Sequence, residues 1–213
     1  MSLLLGLDEA GRGAVLGPLV VAGVWTAPEH EEKLKTLGAR DSKTLSRKKR
    51  KEVLRALWQE GLRGRVIIIP PHVIDQENLT LLELGAMAKI LREVQPTQVI
   101  LDPPVGPRAI PHFLRNLSRA TKLPESVFSA FPQADKKSPV VGAASILAKV
   151  VRDGYMEALH RQFGDIGWGY PGEKKVQDFL ERWFSEHRDL PDISRKRWRC
   201  LRAFYMQGLH DSA

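Results

Sequence analysis

The chain has 213 residues, 43% of them hydrophobic and 27% charged, with a formal net charge of +8 and a pI near 9.7. That length and apolar share are enough for one large domain, or for one domain with a C-terminal appendage. The charge favours a polyanionic partner such as nucleic acid or an anionic membrane surface. A single cysteine, Cys200, excludes an intrachain disulfide and a Cys-rich zinc site. The N-terminus lacks a basic n-region and a small-residue cleavage site, and no apolar run is long enough to span a bilayer. The expectation is a cytoplasmic protein with no membrane partner.

Residues 2–8 are apolar and predict a strand, and VLGPLVVAGVW (15–25) predicts a second, β-branched one. Between them LDEAGRGAV places Asp8 and Glu9 at a strand end, ahead of a tight Gly11-Arg12-Gly13 turn. Residues 31–44 look irregular and charged and end in ARDSKTLS. SRKKRKEVLRALWQEG (46–61) predicts a helix with Ser46 as N-cap and Gly61 as its stop. RVIIIPP (65–71) predicts a short buried strand that two prolines end. TLLELGAMAKILREV (80–94) has helical spacing and opens with a Thr-x-x-Glu capping box; Asn78 just before it is a cap candidate first and a substrate contact second.

TQVILDPP (97–104) is a strand that closes on Asp102. A short helix from Pro111 and a strand at SVFSAF (126–131) follow, with Asp135 in the loop beyond. SPVVGAASILAKVVRDGYMEALHRQF (138–163) predicts a long helix with Ser138 as cap and Pro139 in its first turn. The tail segments GEKKVQDFLERWFSEH and SRKRWRCLRAFYMQGL predict two amphipathic, basic, aromatic-bearing helices. The organisation expected is a domain over residues 1–165 and a helical extension over 166–213.

Two adjacent acids at a buried strand end are costly unless something positive holds them. Asp8, Glu9, Asp102 and Asp135 all follow strands, and acids at several strand ends can converge on one sheet edge. Hard cations such as Mg²⁺ or Mn²⁺ suit crowded carboxylates, and a pair of them would activate water and stabilise a leaving oxyanion in phosphodiester cleavage. Ordinary readings compete at each position. An Asp before Pro, as at Asp102, commonly opens a turn, and Asp135 beside Lys136 and Lys137 could be loop charge. The glycines of GRGAVLG also resemble a dinucleotide-binding loop, but that fingerprint needs a helix immediately after it. The β-branched run with Pro18 that follows here does not supply one.

DEAGRG followed by a Gly-Pro-containing strand, DSKTL, an Asp closing a strand, AD before SPVVGAASILAKVVRD, and GYP together resemble the ribonuclease HII family, in order from Gly6 to about Pro171. The resemblance implies an α/β ribonuclease H-like fold, a mixed five-stranded sheet flanked by helices with a C-terminal helical extension. It implies an endoribonuclease that hydrolyses the phosphodiester 5′ of ribonucleotides in RNA–DNA hybrids and of single ribonucleotides in duplex DNA. The ends left would be a 3′-hydroxyl and a 5′-phosphate, and the role ribonucleotide removal from DNA.

By the same resemblance Asp8, Glu9, Asp102 and Asp135 match four catalytic acids that bind two ions, Mg²⁺ or Mn²⁺. Gly11, Arg12 and Gly13 match the motif whose backbone contacts the ribose 2′-hydroxyl, and Tyr170 matches a tyrosine that stacks under the following sugar. Lys43 and Lys149 are candidate backbone-phosphate contacts; Lys149 could instead pair with a catalytic carboxylate, since Ser145, Lys149 and Asp153 share one helix face. For Asp153 an ordinary helix ion pair is the preferred reading. The chain departs from the family at Ala14, where many members have proline, and at Pro103-Pro104 after Asp102.

RKKRK (47–51) and SRKRWRCLR (194–202) concentrate positive charge suited to a duplex backbone. Trp183, Phe184, Phe204 and Tyr205 sit at helical spacing and read as packing residues. The C-terminal MQGLHDSA does not match a sliding-clamp peptide, so no clamp partner is expected, and the protein is expected to be a monomer. A non-catalytic duplex-binding protein of the same fold is the alternative; all four acids argue against it.

Overall fold

The structure, a computed structural model, describes residues 2–39 and 44–204. Lys43, Tyr205 and the MQGLHDSA segment therefore lie outside the described residues. Among those described, five strands form one mixed sheet in the order β3-β2-β1-β4-β5. They are β1 (Leu4–Ala10), β2 (Leu19–Thr26), β3 (Arg63–Ile69), β4 (Gln98–Leu101) and β5 (Phe128–Ala130). β1 runs antiparallel to β2 and parallel to β4, and β4 runs parallel to β5. The helices are α1 (Glu31–Thr36), α2 (Arg47–Gln59), α3 (Pro71–Ile74), α4 (Leu79–Val94), α5 (Ile110–Thr121), α6 (Ala134–Lys137), α7 (Pro139–Phe163) and α8 (Lys174–His187).

The chain divides into two compact units. The first comprises Met1–Ala10, Val20–Ile67 and Leu79–Val151; the second comprises Gly11–Leu19, Ile68–Asn78 and Arg152–Ala213.

In the first unit the central strand β1 is buried along almost its whole length, as strands covered on both faces are. The first turns of α7 are buried all round and carry small residues, Gly142, Ala143, Ala144 and Ala148. Small side chains let that helix approach the strand closely. A Cβ on Gly6 of β1 would fall 2.5 Å from the Val140 carbonyl, and one on Gly142 would fall 2.4 Å from the Ala39 oxygen. Val20, Val24, Leu57, Val140, Val141 and Ile146 lie in this core. Ser46 caps α2 as predicted, its side chain accepting from the Lys49 amide at 3.2 Å.

Several local expectations give way. β3, expected to be buried, lies at the sheet edge and is buried only at Ile69. Residues 31–36 are helical, because Leu34 is a buried residue on a turn otherwise polar. Helix α4 starts at Leu79, so Thr80 is already inside it and Asn78, rather than the Thr80 box, holds the preceding position. Asp135 belongs to the short helix α6, not to a loop.

The second unit has its own core of Val15, Leu16, Met156, Ile166, Phe179 and Leu180 among others. Phe163, Phe179 and Trp183 meet with ring centroids 5.7–5.9 Å apart, and Phe184 packs on Phe204 at 5.5 Å. Residues 15–18, expected in a strand, form a loop instead. The Val15 and Leu16 amides donate to Gly169 O at 2.7 and 3.1 Å, and Gly17 N donates to Ile193 O at 2.8 Å. Gly17 has φ +77° and Pro18 has no amide hydrogen, so the ladder of β2 can begin only at Leu19.

The second tail helix is also corrected. Trp198 N donates to Arg195 O at 3.0 Å and Leu201 N to Trp198 O at 2.9 Å, bonds to the residue three back rather than four, so residues 194–198 turn instead of winding into an α-helix. Among the described residues of that segment a 3₁₀ turn, Arg199–Leu201, is formed, and residues 202–204 continue as helix.

Candidate active site

Parallel pairing of β1 with β4 ends at Leu7 opposite Leu101. The next residues are Asp8 and Asp102, so two neighbouring strands deliver acids at the same sheet edge. β5, paired through Ala130 to Leu101, leads into α6 and Asp135 at that same strand-end side. Asp8 is 8% exposed and Asp135 2% exposed, while Glu9 and Asp102 are half-buried. Successive strand residues alternate faces, so Glu9 leaves β1 on the side opposite Asp8.

Burial pushes the Asp8 carboxyl up to about 6, and the charge of Asp135 adds to the rise. A hydrogen bond from Ser145, the positive charge of Lys149 and the Glu9 amide act in the opposite direction. The Lys149 ammonium itself donates to Ser145 Oγ one helical turn away. A relay thus runs from Lys149 through Ser145 to Asp8, all within the first unit. Lys149 sits beside a carboxylate, the alternative its helix position had left open.

Among the described residues no three His, Cys, Asp or Glu side chains are grouped closely enough to form a finished metal cage. The donors near the edge are nonetheless all carboxylates, the oxygen donors that hard divalent cations take. Burial is the main reason the Asp8 carboxyl is raised, and the nearby charge of Asp135 adds to it; a cation at this edge would relieve both. The residues fit a divalent ion in chemistry, and binding would complete their grouping.

The second unit holds the Gly11-Arg12-Gly13 turn and Tyr170. Gly11 has φ +89°, and a Cβ there would fall 2.2 Å from the Arg152 guanidinium, so only glycine fits. The Ala14 amide donates to Gly11 O at 3.2 Å and closes the turn, a bond that the proline many family members have here could not make. Tyr170 is 41% exposed, with the Arg152 guanidinium 5.1 Å from its ring centre. Glu173 accepts from the Trp168 and Tyr170 amides at 2.7 and 3.1 Å and holds the segment that carries the ring.

Two residues here were not singled out from the sequence. Arg195, expected within a basic surface helix, is fully buried, and Arg152 is 3% exposed. Arg195 donates to the carbonyls of Gly11, Arg12 and Gly17. Arg152 donates to those of Leu16, Pro18 and Trp168. Asp153, next along α7, is also buried. Nothing in SRKRWR distinguishes a buried cation from its solvated neighbours; the only hint is the adjacent aromatic Trp198, on which Arg195 lies at 5.1 Å.

The fold is that of the ribonuclease H-like enzymes. The family model for Ribonuclease HII matches residues 5–201. Ribonuclease HII of Methanopyrus kandleri is 40% identical over 200 residues, covering 93% of this chain and 91% of that one. The crystal structure of ribonuclease H2 from Pyrococcus horikoshii OT3 superposes with a TM-score of 0.87 at 31% identity, covering 96% of this chain and 98% of the other. A structure of the PCNA:RNase HII complex from Archaeoglobus fulgidus gives 0.82 at 35% identity, over 92% and 95%. The chain belongs to the ribonuclease HII family, metal-dependent endoribonucleases of type 2 ribonuclease H. Membership of an enzyme family displaces the non-catalytic alternative. No helix among the described residues is long and apolar enough to cross a membrane.

Proposed function

We propose that this chain cleaves the phosphodiester on the 5′ side of ribonucleotides, both in RNA–DNA hybrids and at single ribonucleotides within duplex DNA. The products are a 3′-hydroxyl and a 5′-phosphate, and the cellular role is ribonucleotide removal from DNA in the cytoplasm. Asp8, Glu9, Asp102 and Asp135 would hold two divalent ions, Mg²⁺ or Mn²⁺. Bound there, such ions supply an activated water and charge stabilisation for the departing oxygen.

The observation that carries this reading is the delivery of Asp8 and Asp102 to one sheet edge by paired parallel strands, with Asp8 buried near Asp135. Ser145 and Lys149 hold the Asp8 carboxylate in one orientation. Lys149 is placed to do this first and to meet a substrate phosphate second. The Gly11-Arg12-Gly13 backbone recognises the 2′-hydroxyl, which separates a ribonucleotide from a deoxyribonucleotide. Tyr170 presents an exposed ring on which a sugar can lie. Basic side chains of α2 and of residues 194–202, other than the buried Arg195, contact backbone phosphates, and so does Lys43.

Substitution tests the assignment. Asp8→Asn and Asp135→Asn are each expected to abolish cleavage of a hybrid in Mg²⁺ or Mn²⁺ while leaving duplex affinity largely intact. Retained activity in either variant overturns the ion-binding roles.

A further inference from the structure

We propose that Arg195 is the positioning residue that aims the Arg12 and Gly13 amides at the ribose 2′-hydroxyl, with Arg152 holding the far side of the same loop. The inference rests on the reading of Gly11-Arg12-Gly13 as the sugar-recognition turn.

The geometry is specific. Arg195 Nη2 donates to Gly11 O at 2.6 Å and Nη1 to Arg12 O at 3.0 Å, while Nε and Nη2 reach Gly17 O at 3.3 Å. In a trans peptide the carbonyl and the following N–H point in opposite directions. Fixing the Gly11 carbonyl inward therefore turns the Arg12 N–H away from Arg195. Fixing the Arg12 carbonyl inward does the same for Gly13 N–H. Two consecutive amides then face one side as donors, an arrangement that suits an electron-rich oxygen. Gly13 is exposed, and no atom lies within 4 Å of where its Cβ would be, so a substrate can approach it.

Arg152 completes the arrangement. It donates to Pro18 O at 3.3 Å, Leu16 O at 3.2 Å and Trp168 O at 3.0 Å, and its guanidinium faces the Tyr170 ring. One side chain thus ties the loop that follows the turn to the segment that presents Tyr170. Bonds from a charged donor to carbonyls are stronger than neutral ones, and the planar fork reaches several acceptors at fixed angles, which a lysine cannot do.

The test compares wild type, Arg195→Lys and Arg195→Ala on a duplex with one embedded ribonucleotide, in Mg²⁺. Affinity for that duplex and for the all-DNA duplex is measured in Ca²⁺. Both variants are expected to lose about 100-fold in kcat/KM, the scale of a misplacement near 1 Å. Affinity for all-DNA duplex should be unchanged, and the preference for the ribonucleotide duplex should fall. Guanidinium ion at sub-denaturing concentration should restore part of the Arg195→Ala loss, whereas urea should not. Wild-type kcat/KM in a folded variant, or equal loss of affinity for both duplexes, overturns the role.

A readout on the unaltered protein covers the case in which neither variant folds. The Arg12 and Gly13 amide resonances should shift with the ribonucleotide duplex and not with all-DNA duplex; no difference overturns the proposal. Failure of the wild type to nick the ribonucleotide duplex would instead refute the underlying reading.

Discussion

Ser145 hydrogen-bonds the carboxylate of Asp8 while itself accepting from Lys149, so a strand-end acid is held by a helix that packs against its own strand. Asp8 is nevertheless raised to about 6 by its burial. A group whose folded value lies above its unfolded one favours the folded state when protonated. That contribution is complete below about pH 4 and is lost as pH rises through 6. Above 6 the metal-free protein carries a buried charge that costs on the order of 3 kcal/mol. Asp8→Asn removes this cost. In chelator its melting temperature is expected to exceed that of the wild type by a margin that grows between pH 4 and pH 7. A margin that shrinks over that interval contradicts the placement of Asp8.

Divalent metal supplies the complementary measurement. A ligand that binds only the folded state stabilises it by mass action. Mn²⁺ is expected to raise the melting temperature of the wild type and to do so far less in Asp8→Asn or Asp135→Asn. Equal shifts in all three proteins would place the ion elsewhere.

Gly6→Ala tests the approach of α7 to β1. Its Cβ would lie 2.5 Å from backbone atoms of Val140, which cannot rotate away. The variant should lose about 1–3 kcal/mol in denaturant unfolding, the range for overpacking. Because the same helix carries Ser145 and Lys149, activity should fall even where the variant remains folded. An unchanged denaturation midpoint would mean that the contact is looser than described.

Tyr170→Ala should leave stability within about 0.5 kcal/mol of wild type, as exposed substitutions do. It should reduce cleavage at a single ribonucleotide much more than affinity for duplex. Glu173→Ala should give a milder version of the same defect, because the Trp168 and Tyr170 amides lose their acceptor. Equal loss of all-DNA affinity in Tyr170→Ala would argue against a sugar-sensing ring.

Much of this was legible in the residues. The β-branched runs predicted strands near their observed places, and the acids stood out because a buried strand rarely ends on two of them. Helix α2 was marked by Ser46, and α7 by Ser138 and Pro139. What escaped was decided by partners distant in sequence. Residues 15–18 have strand composition, but their amides bond to Gly169 and Ile193. Arg195 is one cation in a basic run, and only its link to Gly11, 184 positions away, makes it a buried clamp. Over the described part of the helix expected at 194–209, residues 194–198 form a turn instead: Arg195 N bonds to Val15 O, far off in sequence, and Trp198 N bonds to Arg195 O, three residues back rather than four.

The most direct measurement uses an end-labelled DNA duplex carrying one ribonucleotide, incubated with the protein and Mg²⁺ or Mn²⁺, alongside all-DNA duplex and chelator controls. The account predicts a metal-dependent nick on the 5′ side of the ribonucleotide, with the all-DNA duplex uncut. Cleavage confined to long RNA–DNA hybrids would contradict recognition of the sugar by Gly11–Gly13 and Tyr170, and no cleavage of either substrate would contradict the catalytic role of the four acids.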